Sequence, residues 1–459
     1  MKRDQEFRYM KLAGALRDQI LSGYIQPGQF LLSENELCRH YGLSRSSVRK
    51  ALDQLLEEGL ITKRVGQGTI VSTDLDLPQQ TRRTLRILAT SPSYFAEIGL
   101  PIIQQEFARL YPQVEVSILS LPNQSFYSLF ETSKEMGFRP DLLFVSERQY
   151  HELQLESTDD FVPLGQLLQE PLNHVYPRLA QGFGGQAIAA PVTFSPVYLV
   201  YNPHLFERSG IPLPHSEWTM PEFLDAARAM TRDTDDDGIK DTYGLSLQTS
   251  LSRWPALALR HGVRFRQDDA PEALLASLTS LHDLVYRHRV AALASRTWLN
   301  SEAFIREKIG MTLTTSIELA GWKRDGLPFE PRLAPLPLGS DEASLLIANA
   351  FMIPKDGESP DLAAQFLKVA LSTRTQQAIS EASAFLSVLP PVNEALLSQQ
   401  DLHSLGLTGN TLDHSLFLHE LLPDPEIMEE LDKQMDLFWA GLESAETSAS
   451  RLREILGLN

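Results

Sequence analysis

Between Phe7 and Gly23 the apolar residues Tyr9, Leu12, Ala13, Leu16 and Ile20 recur three or four positions apart, which is the spacing of one helix face. Gly23 and the pair Pro27-Gly28 end that run. Ser33 followed by Glu36 has the form of a capping box, so a second helix is expected to reach Tyr41, with Gly42 closing it. Ser44 is placed to cap a third helix whose Val48, Ala51, Leu52 and Leu55 form one stripe. Arg45, Ser46, Arg49 and Lys50 fall off that stripe, and Gly59 stops the helix. Leu60 to Thr62 and Thr69 to Val71 then read as two short strands joined around Gly66-Gln67-Gly68. Three helices and a small hairpin describe a winged helix-turn-helix over residues 1–72.

Residues 73–84 lack apolar periodicity and contain Pro78, so they read as a linker. Beyond them the period changes. Leu85 to Ala89 is a short apolar strand, Leu100 to Tyr111 a helix burying Ile103, Phe107 and Leu110, and Val114 to Leu119 alternates. Asp141 to Val145 is another buried strand. A β-α-β series predicts doubly wound α/β layers, whose ligands sit at the carboxyl ends of the strands. The remaining 375 or so residues suit two such lobes better than one oversized sheet.

Charge divides the chain the same way. The net charge of the 459 residues is -18, yet residues 1–75 hold 11 Lys and Arg against 9 Asp and Glu, while the rest hold 30 against 50. Only the N-terminal part is therefore expected to approach nucleic acid, because an acidic body repels phosphates. The single cysteine, Cys38, excludes a disulfide framework and a cysteine zinc site and fits a reducing compartment. The first twenty residues carry charge throughout and offer no secretory signal, and no run of 18 apolar residues follows; the expectation is a soluble, cytoplasmic protein without membrane association.

The N-terminal pattern resembles the GntR family of bacterial transcription regulators over residues 7–72. The resemblance rests on Ser22 to Gly28, Leu31-Leu32-Ser33-Glu34, Leu43 to Leu52, Glu58 to Ile61 and Gly66 to Val71. Leu32 stands where that family usually has proline, and Asn35 where it usually has a DNA-contacting arginine. Residues 84–459 look like a family 1 extracellular solute-binding protein, the class that includes maltose- and oligosaccharide-binding receptors. The segments that carry this are Ile102 to Val116, Pro140-Asp141, Ala190-Pro191, Tyr198 to Asn202, Leu205 to Pro212, Trp218 to Phe223, Ala334 to Pro337 and Pro360 to Gln376. The implied fold is multidomain: an α+β winged helix-turn-helix, then a two-lobed α/β periplasmic-binding-protein-like domain of type II over residues 85–459.

On this reading Arg45, Ser46, Ser47 and Arg49 open the recognition helix, where side chains reach base edges in the major groove. Ser33 and the wing residues Lys63, Arg64, Gln67 and Gly68 join them as DNA-binding candidates, against the alternative of a solvated surface. Cys38 occupies a position that the family commonly fills with alanine, which implies a small buried side chain. Sugar binding needs aromatic faces and hydroxyl partners. Ser93, Tyr94, Glu147, Thr193, Ser195, Trp254 and Trp439 are the candidates, core packing being the alternative for each of the three aromatics; Trp218, in a helix-opening motif, reads as structural. Asp233, Asp235, Asp237, Gly238 and Asp241 match the front of a calcium loop, but the twelfth position is Gly244 and not the bidentate Glu. A solvated Asx-type turn is the alternative there, and no cofactor is otherwise required.

Walker A, HExxH and G-x-S-x-G patterns are absent and the 11 histidines lack metal-ligand spacing, so no enzyme is expected. The function implied is a ligand-responsive transcription regulator, a homodimer on double-stranded operator DNA, with a carbohydrate or oligosaccharide held between two lobes. The alternative is the solute-binding component of a transport system with an N-terminal interaction domain.

Overall fold

The caps written in the sequence start the helices where they stand. The computed structural model describes the chain except for residues 1, 22–24, 26, 42, 65–67, 76–82, 124–125, 136, 138, 157–158, 185–187, 296 and 459. Helices α1 (Lys2–Leu21), α2 (Glu34–Tyr41) and α3 (Arg45–Glu57) and strands β1 (Ile61–Arg64) and β2 (Gly68–Val71) make up the winged helix. Ser33 N–H donates to Glu36 Oε2 at 2.8 Å and Glu36 N–H returns to Ser33 Oγ at 3.3 Å, completing the capping box. Ser44 Oγ accepts from Ser47 N–H at 3.3 Å and caps α3. Leu12, Leu16, Ile20, Leu37, Val48, Leu52, Leu55, Ile61 and Val71 close over one core, and half-buried Cys38 packs against it. The wing also has an edge that the apolar pattern does not announce: Gly28 N–H donates to Val71 O at 3.0 Å and Leu31 N–H to Thr69 O at 2.7 Å.

By internal contacts the described chain divides into two units. Unit 1 holds residues 1–172, 185–190 and 350–375; unit 2 holds 173–184, 191–349 and 376–459. The winged helix thus belongs to the same unit as the first α/β layer instead of forming a unit of its own. Much of the expected linker, residues 76–82, lies outside the described residues. Its last two positions are already strand, because β3 runs Arg83–Ser91 and begins two residues before the apolar run that announced it.

In unit 1, β3 lies between β4 (Val114–Pro122) and β5 (Leu142–Ser146), parallel to both. Helix α4 (Leu100–Leu110) buries Ile103 and Phe107 and leaves Leu110 exposed, contrary to expectation, because its stripe ends one turn earlier. Phe95 stacks on Phe144 at 5.4 Å between centroids, and Phe107 meets Phe366 edge-on at 5.2 Å. Asp141 is fully buried and accepts from Arg86 N–H at 2.8 Å and Ser359 N–H at 2.6 Å, tying three distant segments. Burial pushes its carboxyl above the usual range, although those two amides oppose the shift.

In unit 2, β7 (Tyr198–Tyr201), β8 (Tyr243–Gln248), β9 (Ala291–Ala294), β10 (Ile309–Thr314) and β11 (Arg332–Ala334) form a sheet of order β11-β7-β10-β8-β9. Strands β8, β9 and β10 are mutually parallel neighbours, so their carboxyl ends fall on one edge. The unit boundaries fall inside β6 (Ala189–Pro196) and β12 (Leu345–Met352), and β13 (Leu416–Phe417) pairs with Leu345 and Leu346 of β12. Trp218 is structural as expected: its indole N–H donates to Pro335 O at 2.7 Å, joining two of the resembling segments.

Gly244 on β8 shows how closely unit 2 is packed. A Cβ at this position would lie 2.2 Å from Ala227 O on the helix Met220–Met230. Gly244→Ala is therefore expected to cost roughly 1–3 kcal/mol or more of stability, read as a lower urea midpoint.

Candidate functional site

The exposed face of α3 presents Arg45, Ser46, Arg49 and Lys50 to solvent. Two of these cations are already engaged by α2. Arg45 Nε and Nη2 both donate to Asn35 Oδ1, at 2.9 and 2.5 Å. Arg49 Nε donates to Glu34 Oε2 at 2.8 Å, and that carboxylate holds the guanidinium above its ordinary pKa. Ser47 does not belong with this set. It is 6% exposed and its Oγ lies 2.9 Å from Ser44 Oγ, because the first turn of the capped helix rotates it onto the core. Ser33 is exposed but engaged in its capping box. On the wing, Lys63 and Arg64 are exposed, Lys63 Nζ reaching Asp53 Oδ1 at 3.0 Å. Gly68 takes φ +119°, and Gln67 lies outside the described residues.

Of the ligand candidates, the sheet of unit 1 brings Ser93, Tyr94 and Glu147 together. β3 and β5 are parallel neighbours in register, and these residues follow their carboxyl ends directly. Ser93 Oγ accepts from Ala96 N–H at 3.3 Å, and Glu147 opens a helix with 9% of its surface exposed.

The four candidates in unit 2 are placed differently. Thr193 is fully buried in β6 and donates to Leu386 O at 3.3 Å. Ser195, equally buried, accepts from Ser316 N–H at 2.8 Å. Both hydroxyls satisfy backbone groups and neither is offered to a ligand, because β6 is buried along its whole length. Trp254 and Trp439 lie 6.4 Å apart, edge to face, inside the main core of unit 2, which is the core packing held open as the alternative for both.

A group not anticipated from the sequence does converge in unit 2. Gln248 ends β8, Arg253 follows in a turn, Thr312 and Thr314 end β10, and Asn300 and Glu318 come from the adjacent helices Thr297–Ile305 and Ser316–Arg324. All six are less than 9% exposed. Arg253 Nη2 meets Glu318 Oε2 at 2.7 Å, Thr314 Oγ1 donates to the same oxygen at 3.0 Å, and Thr312 Oγ1 donates to Asn300 Oδ1 at 3.0 Å. Yet Gln248 Oε1, Arg253 Nε, Asn300 Nδ2 and Glu318 Oε1 are buried without a hydrogen-bond partner among the described residues. So is the indole N–H of Trp254, one residue from Arg253. Unmade hydrogen bonds of this kind are costly, and in native proteins they mark a place for a ligand or water. The signal in the sequence was faint: threonines at alternate positions, 312 and 314, in an otherwise apolar strand.

The acidic loop splits its carboxylates. Asp233, Asp235 and Asp237 bring oxygens within 4.8 Å of one another, whereas Asp241 turns to Thr234, accepting from its amide at 2.6 Å and from its hydroxyl. Those bonds hold Asp241 below the usual carboxylate range. Gly238 N–H donates to Asp233 Oδ2 at 2.8 Å and Ile239 N–H to Asp237 Oδ1 at 2.7 Å, while Asp233 Oδ1 is buried without a partner among the described residues.

Comparison with known proteins agrees with both halves. A family model described as bacterial extracellular solute-binding protein matches residues 93–377, and one described as bacterial regulatory proteins, gntR family, matches residues 8–71. An arabinose metabolism transcriptional repressor of Geobacillus stearothermophilus is 27% identical over 166 residues, covering 36% of this chain and 38% of the relative. A probable fructoselysine utilization operon transcriptional repressor of Escherichia coli K12 is 30% identical over 145 residues, covering 30% of this chain and 54% of the relative. The chain thus spans 38% and 54% of these two curated relatives. Among solved structures, an ABC substrate-binding protein of Listeria monocytogenes in complex with cycloalternan superposes with a TM-score of 0.64 at 16% identity, covering 82% of this chain and 100% of the other. A maltose/maltodextrin-binding domain of Bdellovibrio bacteriovorus bound to maltotriose gives 0.65 at 16%, covering 82% and 98%. At that identity the likeness is one of fold. No helix among the described residues is long and apolar enough to cross a membrane.

Removing one partner of a buried ion pair leaves the other charge uncompensated. Glu318→Ala is expected to lower stability by roughly 3–5 kcal/mol, measured by denaturant unfolding, because it strands the Arg253 guanidinium.

Proposed function

The chain belongs to the bacterial extracellular solute-binding protein family and carries a GntR-family domain at residues 8–71, and we propose that it is a transcription regulator whose effector is a carbohydrate. The observation that carries the effector class is the buried polar group of unit 2. Its unpartnered atoms include two acceptors, Gln248 Oε1 and Glu318 Oε1, and three donors, Arg253 Nε, Asn300 Nδ2 and Trp254 Nε1. A sugar hydroxyl both donates and accepts, so a mixed set of donors and acceptors suits a neutral polyhydroxylated ligand. Structural neighbours with bound cycloalternan and maltotriose support the same class, as do the sugar-utilisation repressors among the relatives.

DNA binding is assigned to α3 and the wing, with Arg45, Ser46, Arg49, Lys63 and Arg64 exposed on described residues. A homodimer on a two-fold operator follows from the usual geometry of helix-turn-helix recognition. The acidic loop enters this reading as a turn that caps its own amides. Asp241 is committed to Thr234, and Gly244 has no room for a bidentate side chain. Calcium is accordingly expected to leave the melting temperature equal to that of the chelated protein; a rise would make Asp233 Oδ1 and its neighbours a metal site.

Two further outcomes test the main reading. On a duplex selected from a random pool, Arg45→Ala is expected to lose roughly 1–3 kcal/mol of binding, concentrated at one base position. Effector and operator must also change each other's affinity by one common factor. Maltooligosaccharides titrated with and without the selected duplex measure it, and equal dissociation constants for a sugar that binds would show that the two activities are uncoupled.

A further inference from the structure

We propose that Asn35 is a positioning residue for base readout: it fixes the Arg45 guanidinium so that one edge is held by the protein and the other is presented to a guanine. The inference rests on the assignment of α3 to DNA. Asn35 lies in the first turn of α2 and Arg45 opens α3, ten residues later. Its Oδ1 takes two N–H groups of the guanidinium, from Nε at 2.9 Å and from Nη2 at 2.5 Å. A guanidinium has five N–H groups in a planar fork, so three remain. One on Nη2 and one on Nη1 run parallel along the adjoining edge, the arrangement that meets guanine O6 and N7 together.

Both residues are exposed, and an exposed arginine otherwise loses side-chain entropy when it docks. Two hydrogen bonds from a neighbouring helix remove part of that loss beforehand and set the plane of the fork. The neighbouring Arg49 is held differently, by a carboxylate through Nε, which also offsets its charge. Asn35 is neutral and leaves the full charge of Arg45 for the duplex. It thus governs direction, not attraction.

The experiment selects duplexes from a random pool with the full-length protein and compares base preferences among variants. Wild type is expected to enrich a motif containing a guanine that Arg45→Ala loses. Asn35→Ala is expected to lose about tenfold discrimination at that same position while the other positions keep theirs. Asn35→Asp, which keeps an acceptor oxygen in place, is expected to keep the preference even where its added charge weakens binding to all sequences. Equal melting temperatures of the variants exclude a folding effect. An Asn35→Ala protein with the wild-type motif, or one that loses preference evenly across the site, overturns the proposal and leaves DNA binding standing. A wild-type protein that enriches no sequence overturns both.

Discussion

Strand β3 is the element on which unit 1 depends. It is hydrogen-bonded to β4 from Arg83 opposite Val114 to Ser91 opposite Pro122, and to β5 on its other edge. Residues Leu85 to Thr90 are buried without interruption, as a strand covered on both faces must be. Such a strand has no freedom of register, since a slip of one residue would exchange its two buried faces. Its amino end receives the chain from the winged helix, and its carboxyl end delivers Ser93 and Tyr94 to the candidate ligand edge. Asp141 anchors the strand through the amide of Arg86, which is why a buried carboxylate is tolerated there.

What could be read from the sequence was what depends on neighbours along the chain. Ser33 and Ser44 cap helices because a cap needs only its own next few residues. The winged helix, the α/β period and the placing of Ser93, Tyr94 and Glu147 after strand ends follow from the same local logic. The errors lie where burial depends on distant chain. Thr193 and Ser195 look like ligand hydroxyls until Leu386 and Ser316 are found against them, 193 and 121 residues away. Trp254 and Trp439 stood open between ligand and core because nothing local reveals that they meet each other. The group around Gln248, Arg253, Asn300 and Glu318 left only a faint trace for the same reason, since two strands, a turn and two helices must assemble before it exists.

That group also illustrates a difference between holding a fold and holding a ligand. A structural ion pair is stable only when its remaining donors and acceptors are satisfied. Thr193 and Ser195 meet that standard and are structural. The Arg253–Glu318 pair is joined through Nη2 and Oε2, with Thr314 in support, and leaves Arg253 Nε and Glu318 Oε1 without partners among the described residues. The same low-dielectric setting that makes those atoms costly to leave alone would strengthen any hydrogen bond they gain.

The pairing of Arg49 with Glu34 and of Lys63 with Asp53 has a consequence for how the proposed DNA face would behave in changing salt. Cations on a binding surface normally displace condensed ions from the duplex, and the gain in ion entropy makes affinity fall steeply as ionic strength rises. Here two of the cations arrive with a carboxylate already at their side, which acts as a tethered counterion. Duplex phosphates must compete with those carboxylates, and added salt weakens the competitor together with the complex. Occupancy of the operator in the proposed regulator is thereby buffered against osmotic swings, at the cost of a lower ceiling on affinity.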